Sequence, residues 1–171
     1  SDFFKGLCLL YSGNLKHARR SFELSLSMAE RVRHRYRIAA AGFNIARVSM
    51  FEGDFADARQ HTDLALSLEP EDSIVLMFAT LLDSTVGDFA ASKAHIDRQL
   101  ETINQTNPGP NVEYAVSAAC IPLEAQMSGS LSHLRYANEF ANVVVSSQNI
   151  TPNGRLSSQN WDSLHSRPHS R

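Results

Sequence analysis

Four glycines divide the chain into segments of similar pattern, and this repetition limits its possible folds more than any other feature. Each is followed by a small polar residue and then an apolar one, in Gly13-Asn14-Leu15, Gly53-Asp54-Phe55, Gly87-Asp88-Phe89 and Gly129-Ser130-Leu131. The glycines lie 40, 34 and 42 residues apart. Glycine readily ends a helix in the left-handed conformation, and Asn, Asp or Ser caps the next helix. The pattern predicts four helix–turn–helix units.

Small and apolar residues around these turns follow the spacing of packed helices. After the first turn, the apolar positions of an amphipathic helix are Leu15, Ala18, Phe22 and Leu26. Small residues, which would let paired helices approach closely, stand at Gly6, Ala18, Ala46 and Ala58. One helix pair cannot bury both of its faces, so we expect the units to stack on each other.

The first two units resemble tetratricopeptide repeats. The matching residues are Gly6, Gly13, Ala18 and Phe22 in the first unit and Ala46, Gly53, Ala58, Ala65 and Pro70 in the second. The step of 34 residues to the third unit is the period of that family. The departures from its pattern are Thr62 in place of an aromatic residue, Ser92 and Gln99 in place of small ones, and Pro122 inside a helix.

The resemblance implies an all-α, tetratricopeptide-like solenoid in which antiparallel helix pairs stack in a right-handed superhelix. The step of 40 residues is similar to the elongated repeats of bacterial transcription regulators and signal-transduction ATPases. The repeat domain would span residues 1–146, with units of about 1–36, 37–70, 71–106 and 111–146. The second helix is expected to run to Arg33, and the third to begin near Arg37.

Residues 147–171 form a polar C-terminal tail in which Pro and Gly interrupt a composition rich in Ser. Too little apolar surface is present to offset the entropy of ordering, which favours disorder. The alternative is that the tail docks on an apolar surface of the repeats, with Trp161 as its anchor.

The sequence contains no pattern typical of an enzyme or a metal site. None of the histidines belongs to a metal-binding motif, and His17, His61, His95 and His133 are predicted to be surface residues of second helices. Cys8 and Cys120, far apart among apolar neighbours, are predicted to be small buried residues. We therefore expect no catalytic residue, metal or cofactor. No run of apolar residues is long enough for a membrane span, and a cytoplasmic setting is expected.

Charge is distributed unevenly along the chain. Residues 16–47 carry a net charge of +6, and residues 52–124 carry −10. The basic stretch 31–37 is interpreted as a solvated junction between helices or a docking site for an acidic segment, and nucleic-acid binding is disfavoured because the whole chain is mildly acidic. The acids of 69–72 are predicted to cap the next helix.

The first helices of stacked units line a concave groove, where a partner would bind. The candidate groove residues are Phe43, Asn44, Arg47, Met50, Met77 and Phe78. Asn44 could bond the backbone of an extended peptide, Arg47 could pair with an acid, and the apolar residues suit a helix or apolar peptide. The predicted function is a protein–protein interaction module within a larger regulatory or signalling protein. The alternative is a structural or oligomerising spacer that has no foreign ligand, so self-association stays open.

Overall fold

The computed structural model describes residues 1–104 and six further positions, namely 125, 126, 129, 135, 138 and 142. Within residues 1–104 the chain forms six α-helices and no strand, which confirms the all-α class. The helices are α1 (Asp2–Tyr11), α2 (Leu15–Arg31), α3 (Arg35–Glu52), α4 (Phe55–Leu68), α5 (Ser73–Val86) and α6 (Phe89–Asn104). Most of the fourth predicted unit, including Cys120, Pro122 and His133, lies outside the described residues. The whole tail with Trp161 also lies outside them.

Each helix packs against the next one along the chain, and α1 also contacts α3. Short turns join α1 to α2, α3 to α4, and α5 to α6, so the described helices form three helix–turn–helix pairs. The prediction that α2 runs to Arg33 is wrong. The helix ends at Arg31, because Arg33 adopts the left-handed conformation with φ of 52°, and α3 begins at Arg35.

The turns at the four glycines have the predicted backbone. Gly13, Gly53, Gly87 and Gly129 have φ of 77°, 80°, 84° and 75°. The carboxylate of Asp54 accepts a hydrogen bond from the Asp57 N–H at 3.0 Å and so caps α4. Asn14 is the N-cap residue of α2, as predicted, but its side chain makes no capping hydrogen bond to the backbone. Its Oδ1 instead lies 2.7 Å from Nδ1 of His17.

The helices approach closely where small residues were predicted. Ala18, Ala46 and Ala58 are fully buried. Gly6 lies directly against the ring of Phe22, where an added Cβ would stand 2.6 Å from a ring carbon. One core cluster joins α1, α2 and α3 through Leu10, Ala18, Phe22, Ile45 and Val48, and a second joins α3, α4 and α5 through Ala46, Ala58, Phe78 and Leu82.

The prediction that Cys8 is buried is wrong, because Cys8 is exposed on α1. The buried side of α1 carries Gly6 and Leu10, one turn apart, and Cys8 lies between them in sequence and hence on the opposite side of the helix. Among the residues that the structure describes, no helix is both long enough and apolar enough to cross a membrane.

Candidate partner-binding face

The predicted groove residues lie on one face of the first helices of the three pairs, which we call the first-helix face. It consists of Tyr11 on α1, Phe43, Asn44, Arg47, Met50 and Phe51 on α3, and Ile74, Met77 and Phe78 on α5. The rings of Phe43 and Phe78 meet edge to face with centroids 5.5 Å apart, which connects α3 to α5. The guanidinium carbon of Arg47 lies 5.5 Å from the ring centroid of Tyr11, which connects α3 to α1.

Arg47 is held between two aromatic rings. Its guanidinium carbon lies 5.8 Å from the centroid of Phe43, in addition to its contact with Tyr11. Cation–π attraction to both rings stabilises this position of the guanidinium. Tyr11 did not emerge from the sequence as a groove residue, because its contact with Arg47 depends on how α1 packs on α3.

Asn44 is turned inward instead of toward a bound peptide. The residue is only 4% exposed. Its Nδ2 donates to the carbonyl oxygen of Ala40 at 2.8 Å, one turn earlier in the same helix. Its Oδ1 accepts a hydrogen bond from Nη1 of Arg47 at 3.0 Å. Asn44 therefore orients Arg47. Its side chain does not face a bound peptide, contrary to the expectation from the sequence.

Within residues 1–104 Arg47 keeps most of its hydrogen-bonding capacity. A guanidinium has five N–H donors, and in this part of the chain Arg47 uses one of them, in the bond to Asn44. Within residues 1–104 no carboxylate forms an ion pair with Arg47, unlike Arg19, Arg35 and Arg59. A planar guanidinium held by its neighbours suits bidentate binding of a carboxylate.

Apolar side chains surround this cation. Tyr11, Phe51 and Ile74 are exposed, and Met50 and Met77 are partly buried. Phe78 is buried in a core cluster, against which Phe43 and Met50 pack. The prediction that Phe78 contacts a partner is therefore wrong, and part of this surface stabilises the fold. The sequence of α5 has no Lys or Arg. Arg47 on α3 is therefore the one cation among the residues of the first-helix face.

A polar cluster at the boundary between the first two helix pairs was not predicted. Arg19 on α2 donates to Glu52 at 2.8 Å, to Asp57 at 3.0 Å and to Ser49 at 2.8 Å. Burial alone would raise the pKa of Asp57, but hydrogen bonds from Ser49 and Arg19, and the charges of His61 and Arg19, outweigh it and lower that pKa. The cluster ties α2 to α3 and α4.

The next boundary has an equivalent pair. Nη2 of Arg59 on α4 lies 2.5 Å from Oδ1 of Asp83 on α5, and Asp83 is only 1% exposed. Nε2 of His95 on α6 lies 3.3 Å from the other carboxylate oxygen. Arg19 and Arg59 both stand six residues after a turn glycine, and this equivalence is the signal that could have revealed them.

The predicted surface histidines differ from one another. His17 is exposed, as expected. His61 and His95 are half-buried, because each lies against a carboxylate of a boundary cluster, Asp57 and Asp83 respectively. In the described part of the chain no three His, Cys, Asp or Glu residues are grouped as metal ligands would be.

The basic stretch 31–37 lies at the junction between α2 and α3, which agrees with its interpretation as a junction between helices. Arg35 donates from Nε to the carbonyl oxygen of Leu68 at 2.6 Å and so satisfies the C-terminal end of α4. It also lies 3.7 Å from Glu69. Asp72 caps α5 by accepting from the N–H groups of Ile74 and Val75, which confirms the predicted capping role of the acidic turn.

Comparison with protein-family models finds no family that matches this chain, and comparison with curated proteins finds no significant relative. The function proposed next therefore rests on the first-helix face. Its central feature is Arg47, which the fold orients and leaves without a carboxylate partner among the described residues.

Proposed function

We propose that this chain is a protein–protein interaction module that holds a peptide or helix of a partner on the first-helix face. Arg47 would receive a carboxylate of the partner, and the apolar residues around it would contact the neighbouring side chains. The observation that carries the proposal is the placement of Arg47, fixed by Asn44 and two rings and lacking an ion pair within residues 1–104. Such preorganisation lowers the entropy cost of binding.

In this proposal the three described pairs are successive units of a tetratricopeptide-like solenoid, and the first-helix face is its concave groove. The recurrence of a left-handed glycine turn between paired helices supports that arrangement. So does the burial of Ala18, Ala46 and Ala58 at the helix contacts. The module would belong to a larger cytoplasmic protein of regulation or signalling, as the resemblance of its repeats implies.

The face specifies the chemistry of the partner. With Arg47 as its one cation and no Lys or Arg on α5, the first-helix face suits one carboxylate and no second acid on the α5 side. Phe43, Phe51 and Ile74 favour apolar side chains next to that carboxylate. We therefore expect a segment with an Asp or Glu side chain flanked by Leu, Ile or Phe, bound through a charge-assisted hydrogen bond.

Binding of synthetic peptides tests the proposal. One set would carry a single Asp or Glu among apolar residues, and a matched set would carry Asn or Gln at the same position. Affinity would be measured by fluorescence anisotropy, and the contacts by NMR shifts of the labelled protein. We expect acidic members to bind with shifts around Arg47, and Arg47→Gln to weaken them about tenfold, because a hydrogen bond to a charged group contributes about 1.5–3 kcal/mol.

Arg98→Gln is the matched control, since Arg98 is exposed on α6 and the change in charge is the same. Equal loss in the two variants, or equal binding of the acidic and amide peptides, would refute the role of Arg47. If no peptide binds and the protein associates with itself, the chain is the oligomerising spacer considered above.

A further inference from the structure

A cleft of about 470 Å³ lies at the other end of the first helix pair. It opens between the start of α1, the C-terminal half of α2 and the start of α3. Its apolar lining is Phe3, Phe4, Met28, Ala29, Val32, Tyr36 and Ala40. This volume is within the range of about 300–1,000 Å³ that is typical of ligand-binding clefts. None of these residues belongs to the first-helix face, so the two surfaces are separate.

The rim of this cleft exposes large apolar side chains to an unusual degree. Phe4, Met28, Val32 and Tyr36 are each more than 60% exposed. Leu24, half exposed, continues the row of Met28 and Val32 along α2 at intervals of four residues. These side chains form one contiguous patch, and a patch of this kind on a soluble domain marks an interaction site.

The charge around the patch has one dominant sign. Helical geometry places Arg20 one turn before Leu24, at the end of the row on α2, and Arg31 beside Met28. Arg37 lines the cleft itself. In the described part of the chain, none of the three forms an ion pair with a carboxylate, and Asp2 is the one acid in the lining. The surface therefore combines apolar contact area with an excess of positive charge.

We propose that this cleft, with the row on α2, is a docking site for an acidic amphipathic helix of a partner protein. The apolar ridge of such a helix fills the cleft and covers Met28 and Val32, and its flanking carboxylates meet Arg31 and Arg37. The concave shape favours a helix over an anionic membrane, because a flat bilayer surface would leave the cleft unfilled. A second copy of this chain fits poorly, because a symmetric pairing of α2 would bring its arginine flanks together.

A designed peptide provides the test. It carries leucines at helical spacing on one face, glutamates on both flanks and a fluorescent label, and two matched peptides carry glutamine or lysine in place of the glutamates. Anisotropy with the full chain is expected to show binding of the glutamate peptide that weakens with added salt. The glutamine peptide should bind several-fold more weakly, and the lysine peptide more weakly still.

Two substitutions locate the site. Met28→Ser should weaken binding of the glutamate peptide about tenfold or more, as the loss of a buried methionine contact would. Arg37→Gln should weaken it several-fold and reduce its salt dependence. The matched controls are Val86→Ser, an exposed apolar residue of α5 outside both surfaces, and Arg98→Gln, an exposed base on α6. Both should bind as the parent does, and circular dichroism should show the same helicity in all four variants.

Several results would overturn the proposal. One is equal affinity for the glutamate and lysine peptides, and another is a loss in Val86→Ser as large as that in Met28→Ser. Tighter binding to phosphatidylserine vesicles or to single-stranded RNA than to the peptide, removed by Arg37→Gln, would assign the cleft to a membrane or a nucleic acid instead. Because the first-helix face also suits an acidic apolar peptide, Met28→Ser and Arg37→Gln are measured in an Arg47→Gln background as well. They should weaken binding there by the same factors, which separates this test from that of the first-helix face.

Discussion

The contact between Gly6 and Phe22 predicts the effect of a single methyl group. In Gly6→Ala the new Cβ would lie 2.6, 2.8 and 3.0 Å from three carbons of the Phe22 ring. Phe22 is fully buried in the cluster that joins α1, α2 and α3, so its ring has little room to move. Forcing an extra carbon into a close-packed core costs about 1–3 kcal/mol.

Gly42→Ala is the matched control. Gly42 also lies inside a helix, but its added Cβ would stand 3.5 Å from Leu64, which is ordinary van der Waals contact. Replacing glycine by alanine inside a helix contributes about 0.5–1 kcal/mol of stability at either site. This gain cancels when the variants are compared, so Gly6→Ala should be less stable than Gly42→Ala by the packing cost of about 1–3 kcal/mol.

Urea denaturation followed by circular dichroism would measure the free energy of unfolding of both variants. A further variant, Phe22→Leu, removes the ring edge that the new methyl group meets. In that background Gly6→Ala should cost at least about 1 kcal/mol less, as expected for two residues in direct contact. The reasoning fails if Gly6→Ala is as stable as Gly42→Ala, or if its cost is the same with Leu at position 22.

Three other predictions concern the turns and the boundary clusters. Gly53→Val should lower stability by about 1–3 kcal/mol, because Gly53 has φ of 80°, and an unchanged melting temperature would contradict this. Asp57→Asn should be less stable than the parent near neutral pH. Because the folded state lowers the pKa of Asp57, the difference in stability between the parent and this variant should shrink as the pH falls below about 4. A stability difference that stays constant from pH 7 to about 3 would contradict the prediction. Arg59→Met should destabilise the protein more than the double change Arg59→Met with Asp83→Leu. The reason is that the single change leaves the buried carboxylate of Asp83 without its nearest cation. A lower melting temperature for the double variant would refute this.

Local features of the fold could be predicted from the sequence. A left-handed turn is a property of a few consecutive residues, so Gly53 and Gly87 were sufficient to indicate where one helix ends and the next begins. The end of α2 was missed because Arg33 takes the same conformation, which the residue type does not indicate. The burial of Ala18 and Ala58 could also be predicted from the sequence, since small residues at helical spacing indicate close contacts between helices.

The orientation of Asn44 could not be predicted, because α3 is covered on most of its circumference by other helices. Its buried residues include Ala41, Ile45 and Val48 along one stripe and Ala39, Gly42 and Ala46 along another. The alternation of apolar and polar residues therefore does not show which side of α3 faces a partner. The contact of Arg47 with Tyr11 depends on packing between distant segments, which no local pattern contains.

The boundary clusters explain which positive charges the fold leaves for a partner. Arg19 and Arg59 reach the next helix pair and are neutralised there by Glu52, Asp57 and Asp83. At the equivalent position of the third pair, Lys93 bonds to Asp97 of its own helix instead.

The net charge of +6 on residues 16–47 is thus only partly offset by the acids of the following helices. Arg47 on the first-helix face, and Arg20, Arg31 and Arg37 around the cleft, have no carboxylate partner among the described residues. These are the arginines on which the two proposed binding surfaces depend. Both surfaces select for acidic partners, and their apolar residues, which differ in shape, would decide which acidic segment each one accepts.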